Sequence, residues 1–127
     1  MIAQILVADD NPDITGLLED YLSMKGNRVI VVSDGYQLAQ KAGEHRPHLI
    51  LTDIQMPGAY GSSAYLVLQK DEATKNIPVI FMSAHSREKL AKLLPNDPKT
   101  RFVQKPVNLA TLYELIQELL PMGGYCP

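Results

Sequence analysis

The sequence predicts an α/β fold in which a doubly wound parallel sheet of five strands lies between two layers of helices. Five short apolar segments alternate along the chain with five segments whose apolar residues recur at helical spacing. Strands that alternate with helices form parallel sheets covered on both faces, and the right-handed crossover rule makes such a sheet doubly wound. In this arrangement the carboxyl ends of the strands form the edge where ligands bind.

Length and composition indicate one globular domain. The chain has 127 residues, of which 46% are apolar and 20% are charged, and a chain of this size buries enough surface to fold without staples. A net charge of −2 without a basic run argues against nucleic-acid binding. The N-terminus lacks the basic region of a signal peptide, and the single Cys126 has no internal disulfide partner. These features favour the cytoplasm.

The first third of the chain contains two predicted strand–helix units. Residues 5–8 form the first strand, and Asn11 is a typical N-cap for a helix with Pro12 at its first position. Gly26 ends this helix. Residues 29–32 form the second strand, Asp34 caps the second helix and Pro47 ends it. The inward faces of the two helices are predicted to be Ile14, Leu17, Leu18, Tyr21 and Leu22, and then Leu38, Ala39 and Ala42.

The third strand is apolar or β-branched up to Asp53 and is predicted to be buried on both faces. Pro57 and Gly58 then turn the chain. Gly58 and Gly61 flank a loop, and a third helix follows that ends near Lys75. The expected inner face of this helix consists of Ala64, Tyr65 and Leu68.

The last two predicted strands occupy residues 79–82 and the segment around Phe102 and Val103. Between them, Ser86 is expected to cap a fourth helix that carries Leu90, Leu93 and Leu94 and is broken by Pro95 and Pro98. Asn108 is expected to cap the fifth helix, whose stripe comprises Leu109, Leu112, Ile116, Leu119 and Leu120. The domain is predicted to span residues 1–120, and residues 121–127 to form a flexible tail.

Polar residues follow four of the five predicted strands, namely Asp9, Asp10, Asp53, Ser83 and Lys105. Two carboxylates about 4 Å apart repel by roughly 4 kcal/mol at an effective dielectric near 20. Converging acids must therefore either take up a proton or hold a cation, and their hard oxygen ligands suit Mg²⁺. A metal, an ammonium and a hydroxyl around one carboxylate form an anion clamp for a phosphoryl group, with Asp53 as the nucleophile.

Each of these residues also has a structural interpretation. Asp53 would cap its own loop, Asp9 and Asp10 would splay apart, Lys105 would form a structural ion pair, and Ser83 would close a local turn. A phosphohydrolase with an aspartyl intermediate is a further alternative. Enzymes of the haloacid dehalogenase type need a second acid two residues after the nucleophile, where this chain has Gln55.

The chain resembles the receiver domain of bacterial two-component response regulators, such as the chemotaxis response regulator, from about residue 2 to residue 120. This resemblance implies a flavodoxin-like fold with strand order 2-1-3-4-5. The residues that carry it are Asp9-Asp10, the run Asp-Ile-Gln-Met-Pro-Gly from Asp53, Gly61, Ser83-Ala84 and Lys105-Pro106.

The resemblance implies a role for each of these positions in a signalling switch that catalyses only its own phosphotransfer and autodephosphorylation. Asp53 would accept a phosphoryl group from a phosphohistidine of a sensor histidine kinase or of a phosphotransfer protein. Mg²⁺ would be bound by Asp53, by Asp10 directly, by Asp9 largely through water and by the main-chain carbonyl of Gln55. Lys105 would bind a phosphoryl oxygen, and Lys105-Pro106 would be a cis peptide.

Ser83 and Phe102 are the implied switch residues. Ser83 would hydrogen-bond the new phosphoryl group, and Phe102 would turn inward and change the face made by the fourth helix, the fifth strand and the fifth helix. Phe102 stands where the family commonly has tyrosine, and the 95–99 segment replaces a small loop. No DNA-binding module follows in this sequence, so output is expected to run through a partner protein, unless the chain is a fragment of a longer one. The alternative is a receiver-like scaffold that works without phosphorylation.

Overall fold

The computed structural model describes residues 2–55 and 61–125, with the side chains of residues 61 and 62 excepted. It contains a five-stranded parallel sheet of order β2-β1-β3-β4-β5, which confirms the predicted fold class and strand order. The elements are β1 (Gln4–Ala8), α1 (Pro12–Met24), β2 (Arg28–Val32), α2 (Gly35–His45), β3 (Leu49–Asp53), α3 (Gly61–Gln69), β4 (Val79–Ser83), β5 (Thr100–Gln104) and α4 (Leu109–Leu119).

The strands in the middle of the sheet are buried on both faces, as expected for a parallel sheet covered by helices. Every residue of β3 and β4 is buried, whereas β2 and β5 at the sheet edges are partly exposed. Asp53 lies beside Met82 of β4, and Thr52 lies beside Ala8 of β1. This register places the carboxyl ends of β1, β3 and β4 next to one another.

Two core layers cover the two faces of the sheet. One layer is formed mainly by residues of α1 and α4, and the other by residues of α2 and α3 together with Leu90. Three of the four predicted N-caps are confirmed, because the side chains of Asn11, Asp34 and Asn108 accept hydrogen bonds from main-chain N–H groups in the first turns of α1, α2 and α4, whereas Ser86 begins no helix. None of the described helices is long and apolar enough to cross a bilayer.

The predicted fourth helix is wrong, because residues 84–94 form successive turns rather than an α-helix. Most of the hydrogen bonds in this segment span three residues, such as that from the N–H of Leu90 to the carbonyl of Arg87. Leu90 is buried but Leu93 is 43% exposed. A short segment that Pro95 terminates gains too little burial to offset the cost of helix nucleation.

Two further boundaries differ from the prediction. Helix α3 ends at Gln69 rather than near Lys75, and turns at residues 72–76 follow it. The expected turn at Pro57 and Gly58 lies outside the described residues.

After α4, residues expected in the tail form a 3-10 helix at Leu120–Gly123. A Cβ at Gly123 would lie 1.9 Å from the carbonyl oxygen of His48, so only glycine allows this close approach. The ring of Tyr125 packs edge-on against the ring of His48, with 5.6 Å between the centroids. Residues up to Tyr125 therefore pack against the domain, whereas Cys126 lies outside the described residues.

Candidate functional site

Three carboxylates converge at the edge formed by the carboxyl ends of β1 and β3. Asp9 and Asp10 follow β1, and Asp53 is the last residue of β3. Each offers an oxygen, and these oxygens all lie within 4.8 Å of one another. Asp9 is 2% exposed and Asp53 7%, whereas Asp10 faces solvent. Folding therefore concentrates negative charge at a site with limited access to water.

Lys105 is the cation that meets these acids. It follows β5, and its main-chain N–H donates to the carbonyl of Ser83 at 2.7 Å, which fixes the segment beside β4. Its Nζ donates to Asp9 Oδ2 at 2.7 Å and to Asp53 Oδ2 at 3.0 Å. The Lys105–Pro106 peptide bond is cis.

The structural interpretation of Asp53 also applies, and Asp9 makes a similar main-chain contact, although Asp9 and Asp10 do not splay apart. Asp53 Oδ1 accepts the N–H of Gln55 at 3.2 Å, and Asp9 Oδ1 accepts the N–H of Asn11 at 3.0 Å. Each carboxylate thus has one oxygen fixed by the main chain and the other by Lys105. The ends of β1 and β3 are held rigid by the same groups that carry the charge of the site.

The donor set suits a hard divalent cation. Three carboxylates and one ammonium leave two negative charges uncompensated among the described side chains of the cluster. Oxygen ligands with one solvent-facing member match the preference of Mg²⁺, which retains several waters. The residues present therefore fit the magnesium ion that the resemblance implies.

The other predicted site residues lie around this cluster with less defined roles. Ser83 is buried, and its Oγ accepts the N–H of His85 at 3.0 Å, which is the local turn considered as its structural interpretation. Gln55 is exposed and donates its N–H to Asp53. Phe102 is half-buried and packs against the core layer that contains Phe81. The fourth helix of the implied output face is not present.

Burial and charge shift the ionisation of two groups in opposite ways. Burial raises the pKa of Asp53 above that of an ordinary aspartate, although the ammonium of Lys105 and the N–H of Gln55 oppose the shift. Burial alone would lower the pKa of Lys105, but its hydrogen bonds to Asp9 and Asp53 outweigh burial and raise that pKa. The lysine therefore remains charged at neutral pH, and ionised Asp53 is held at a cost.

We expect Asp53→Asn to raise the free energy of unfolding at pH 7 in the presence of a chelator. Because the pKa of Asp53 is raised in the folded state, the native protein binds more protons than the unfolded chain, and stability falls as pH rises above about 4. The gain should disappear below about pH 4, where Asp53 is protonated in both the folded and the unfolded chain. Urea unfolding across this pH range measures the gain in the free energy of unfolding. Asp20→Asn, at an exposed aspartate, is the control. An equal gain at all pH values would contradict the explanation.

A groove beside Lys105 was not predicted from the sequence. It has a volume of about 460 Å³ and an almost entirely apolar lining: Ile14, Leu17, Leu18, Ala84, Pro106, Val107 and Leu109, with Lys105 at one end. Leu17, which was predicted to face inward, is 55% exposed. Adjacent apolar pairs at positions 17–18 and 21–22 make the apolar stripe of α1 wider than one packed face needs. This width is the sequence signal that could have indicated an exposed apolar edge on α1.

A family model of the response regulator receiver domain matches residues 5–117. The hybrid signal transduction histidine kinase D of Dictyostelium discoideum is 30% identical over 118 residues, which are 93% of this chain and 8% of that protein. This chain therefore spans only a small part of the kinase. The polar-differentiation response regulator DivK of Brucella anthropi is 28% identical over 120 residues, which are 94% of this chain and 98% of DivK.

Solved structures agree with these matches. The signal receiver domain of a signal transduction histidine kinase from Syntrophus aciditrophicus has a TM-score of 0.83 and 26% identity, covering 94% of this chain and 90% of that one. The receiver domain of a sensor histidine kinase from Pseudomonas aeruginosa has the same score and identity, covers 95% and 99%, and holds a magnesium ion in its active site cleft. The chain therefore belongs to the response regulator receiver domain family, the signalling switches of two-component systems.

Proposed function

We propose that this receiver domain is phosphorylated on Asp53 by a phosphohistidine and that Mg²⁺ is required. The observation that carries the proposal is Lys105 Nζ, which bridges Asp9 and Asp53 next to the solvent-facing Asp10. A carboxylate oxygen of Asp53 attacks the phosphorus, a P–O bond forms, and the P–N bond to the imidazole of the donor breaks. The imidazole, protonated on its other ring nitrogen, leaves as the neutral ring with the electron pair of that bond.

The residues of the cluster would have separate roles in this step. Asp10 would hold Mg²⁺ directly, Asp9 through water, and Asp53 and the carbonyl of Gln55 would complete the set. When bound, the ion neutralises charge on the phosphoryl oxygens. Lys105 already donates to Asp53, so a small movement of its side chain would place the ammonium on a phosphoryl oxygen. We also propose that the chain is cytoplasmic, because a histidine kinase uses ATP there.

The energetics are sufficient for a switch. Phosphorylation adds up to about two charges and three acceptor oxygens. Charge-assisted hydrogen bonds contribute roughly 1.5–3 kcal/mol each, so two or three approach the roughly 5.5 kcal/mol that inverts a 1:99 equilibrium. Ser83, at the end of β4, would donate one hydrogen bond to the phosphoryl group. Phe102 on β5 would adopt a different packing in the phosphorylated state.

The basic test uses acetyl phosphate as the donor. In MgCl₂ we expect the chain to gain the mass of one phosphoryl group in a hydroxylamine-sensitive linkage, and EDTA to prevent the gain. We also expect the label to be lost slowly without a separate phosphatase, because an acyl phosphate is a mixed anhydride that water hydrolyses. A wild-type chain that takes no label in MgCl₂ would contradict the proposal and favour the phosphorylation-independent scaffold.

The partner in phosphotransfer is proposed to be a helical histidine kinase or phosphotransfer protein. The apolar groove is continuous with the acidic site through Lys105, and α1 forms its wall. A phosphohistidine helix can bury its apolar side chains there while its imidazole faces Asp53, the helix-in-groove mode of recognition. Small donors such as acetyl phosphate need no such contact.

We expect Leu17→Asp to slow phosphotransfer from a histidine kinase about tenfold, because burial of a leucine contributes roughly 1.5 kcal/mol or more. Labelling by acetyl phosphate should be unchanged, since Leu17 does not touch the carboxylates. A radiolabelled kinase that phosphorylates the wild type provides the measurement. Leu66→Asp is the matched control, because Leu66 is 62% exposed on α3, across the sheet from α1. Equal slowing by both variants would contradict a docking role for the groove.

A further inference from the structure

A half-buried carboxylate, Asp97, lies outside the acidic site and has no role in the proposed phosphotransfer. Asp97 precedes β5, and its Oδ2 accepts hydrogen bonds from Tyr65 Oη at 2.6 Å and from Lys99 Nζ at 2.6 Å. Its Oδ1 accepts the main-chain N–H of Lys99 at 3.0 Å. The side chains of Asp97 and Lys99 are each 20% exposed, and Tyr65 is 6% exposed. Three donors thus fix this carboxylate.

Tyr65 connects this carboxylate to the side of the domain that carries the phosphoacceptor. Its ring packs edge-on against Phe81 of β4, with 5.6 Å between centroids. Both residues belong to the core layer that contains Ile54, the residue directly after Asp53. Ile54 is fully buried, and its N–H donates to the carbonyl of Met82 at 3.0 Å.

Asp97 is connected in turn to the start of β5. Its carbonyl accepts the main-chain N–H of Thr100 at 3.0 Å and the hydroxyl of Thr100 at 2.8 Å. Phe102 lies two residues further along, pairs in register with Phe81 and packs against the same core layer. The hydrogen bond from the Tyr65 hydroxyl to Asp97 therefore connects α3 to the segment that precedes Phe102.

We propose that Tyr65 is a positioning residue for the switch, whose hydroxyl fixes the segment before β5 so that changes at Asp53 reach Phe102. The inference rests on the proposed phosphorylation of Asp53. Because the ring is held in the core and its hydroxyl is bonded to Asp97, the core layer cannot rearrange around Tyr65 without moving the start of β5. Without the hydroxyl, Asp97 keeps its hydrogen bonds to Lys99 but loses its hydrogen bond to α3.

The ionisation of the pair agrees with a strong hydrogen bond. Burial and the neighbouring Asp97 raise the pKa of Tyr65, so the phenol keeps its proton at neutral pH. Burial alone would raise the pKa of Asp97, but hydrogen bonds from Lys99 and Tyr65 outweigh it and lower that pKa. A neutral donor and a charged acceptor are the combination that shortens a hydrogen bond.

The wild-type chain contains only two phenylalanines, so ring-labelled phenylalanine gives NMR signals from Phe81 and Phe102 alone, and each Tyr→Phe variant adds one further signal. The probe is beryllofluoride with MgCl₂, added to the full chain, and Phe102→Leu, made in the wild type and in each variant, identifies the Phe102 signal. In the wild type we expect the Phe102 ring and the Gln55 amide both to shift. In Tyr65→Phe we expect the shift of Phe102 to fall at least twofold while the shift of Gln55 is unchanged. Tyr36→Phe, at a tyrosine that is 70% exposed, should behave as the wild type.

The outcomes separate this inference from the proposed function. A wild type in which Gln55 does not respond contradicts the proposed function itself. If Gln55 responds in both proteins and Phe102 shifts equally in both, or in neither, the role of Tyr65 is wrong and the phosphorylation site stands. Asp97→Ala, which removes the acceptor, should reproduce the loss, and the double variant should lose no more than either single variant, because both break one connection. Additive losses would overturn the inference.

Discussion

Asp53→Asn is expected to abolish Mg²⁺-dependent labelling of this chain by acetyl phosphate. The amide that replaces the carboxylate is a poor nucleophile and carries no charge to hold a metal. The rest of the cluster should remain in place, because Lys105 keeps its 2.7 Å hydrogen bond to Asp9. Intact-mass measurement after incubation with the donor, with and without EDTA, reports the presence or absence of the phosphoryl group.

The matched control for this loss is Asp20→Asn, which changes an exposed aspartate of α1 outside the acidic cluster. It should be labelled at the wild-type rate. Retention of label on Asp53→Asn would show that another carboxylate accepts the phosphoryl group, with Asp9 and Asp10 as the neighbouring candidates. Peptide mapping of the labelled protein would then identify the acceptor, and the assignment of Asp53 would be wrong.

Lys105→Met should slow labelling by acetyl phosphate about 100-fold, since removal of one preorganised donor from a developing anion typically costs roughly 2.7–4 kcal/mol. Methionine keeps the length and the apolar stem of the side chain but removes the ammonium that bridges Asp9 and Asp53. Labelling should be slowed rather than abolished, because the nucleophile and the metal ligands remain. Single-turnover labelling measures the rate.

The affinity for Mg²⁺ should increase in Lys105→Met, although the rate of labelling falls. Without the ammonium, Asp9 and Asp53 repel each other more strongly and have no internal cation, so we expect Lys105→Met to bind Mg²⁺ more tightly than the wild type. Titration of the Gln55 amide signal with MgCl₂ measures this affinity. Lys89→Met, at an exposed lysine of the 84–94 turns, should leave both rate and affinity unchanged. Weaker Mg²⁺ binding in Lys105→Met would contradict competition between the lysine and the metal.

The sequence was most informative where local signals and burial agreed. Strands β3 and β4 are continuous apolar runs, and a run of this kind fits only a strand that is covered on both faces. Asn11, Asp34 and Asn108 marked helix starts, because a short acceptor side chain satisfies main-chain N–H groups that the helix leaves free. These signals act over a few residues and need no knowledge of distant contacts.

The segment at residues 84–94 shows where such reasoning fails. Its leucines recur at helical spacing, but periodicity records which side chains would share a face and not whether a partner surface exists to cover them. In the folded chain Leu90 is buried and Leu93 is exposed, so little burial favours a helix over turns. The Tyr65–Asp97 hydrogen bond was equally beyond prediction, because its two members lie 32 residues apart.

By itself, the sequence determined the five strands and four of the helices in their order along the chain, three of the caps, and which polar residues end up at the carboxyl edge of the sheet. These depend on periodicity, capping and the handedness of crossovers, which are short-range properties. Only the tertiary structure decided that one ammonium bridges Asp9 and Asp53, that Leu17 lines an open groove, and that Tyr65 holds the start of β5. Those contacts join residues distant in sequence, and their geometry exists only once the layers have packed.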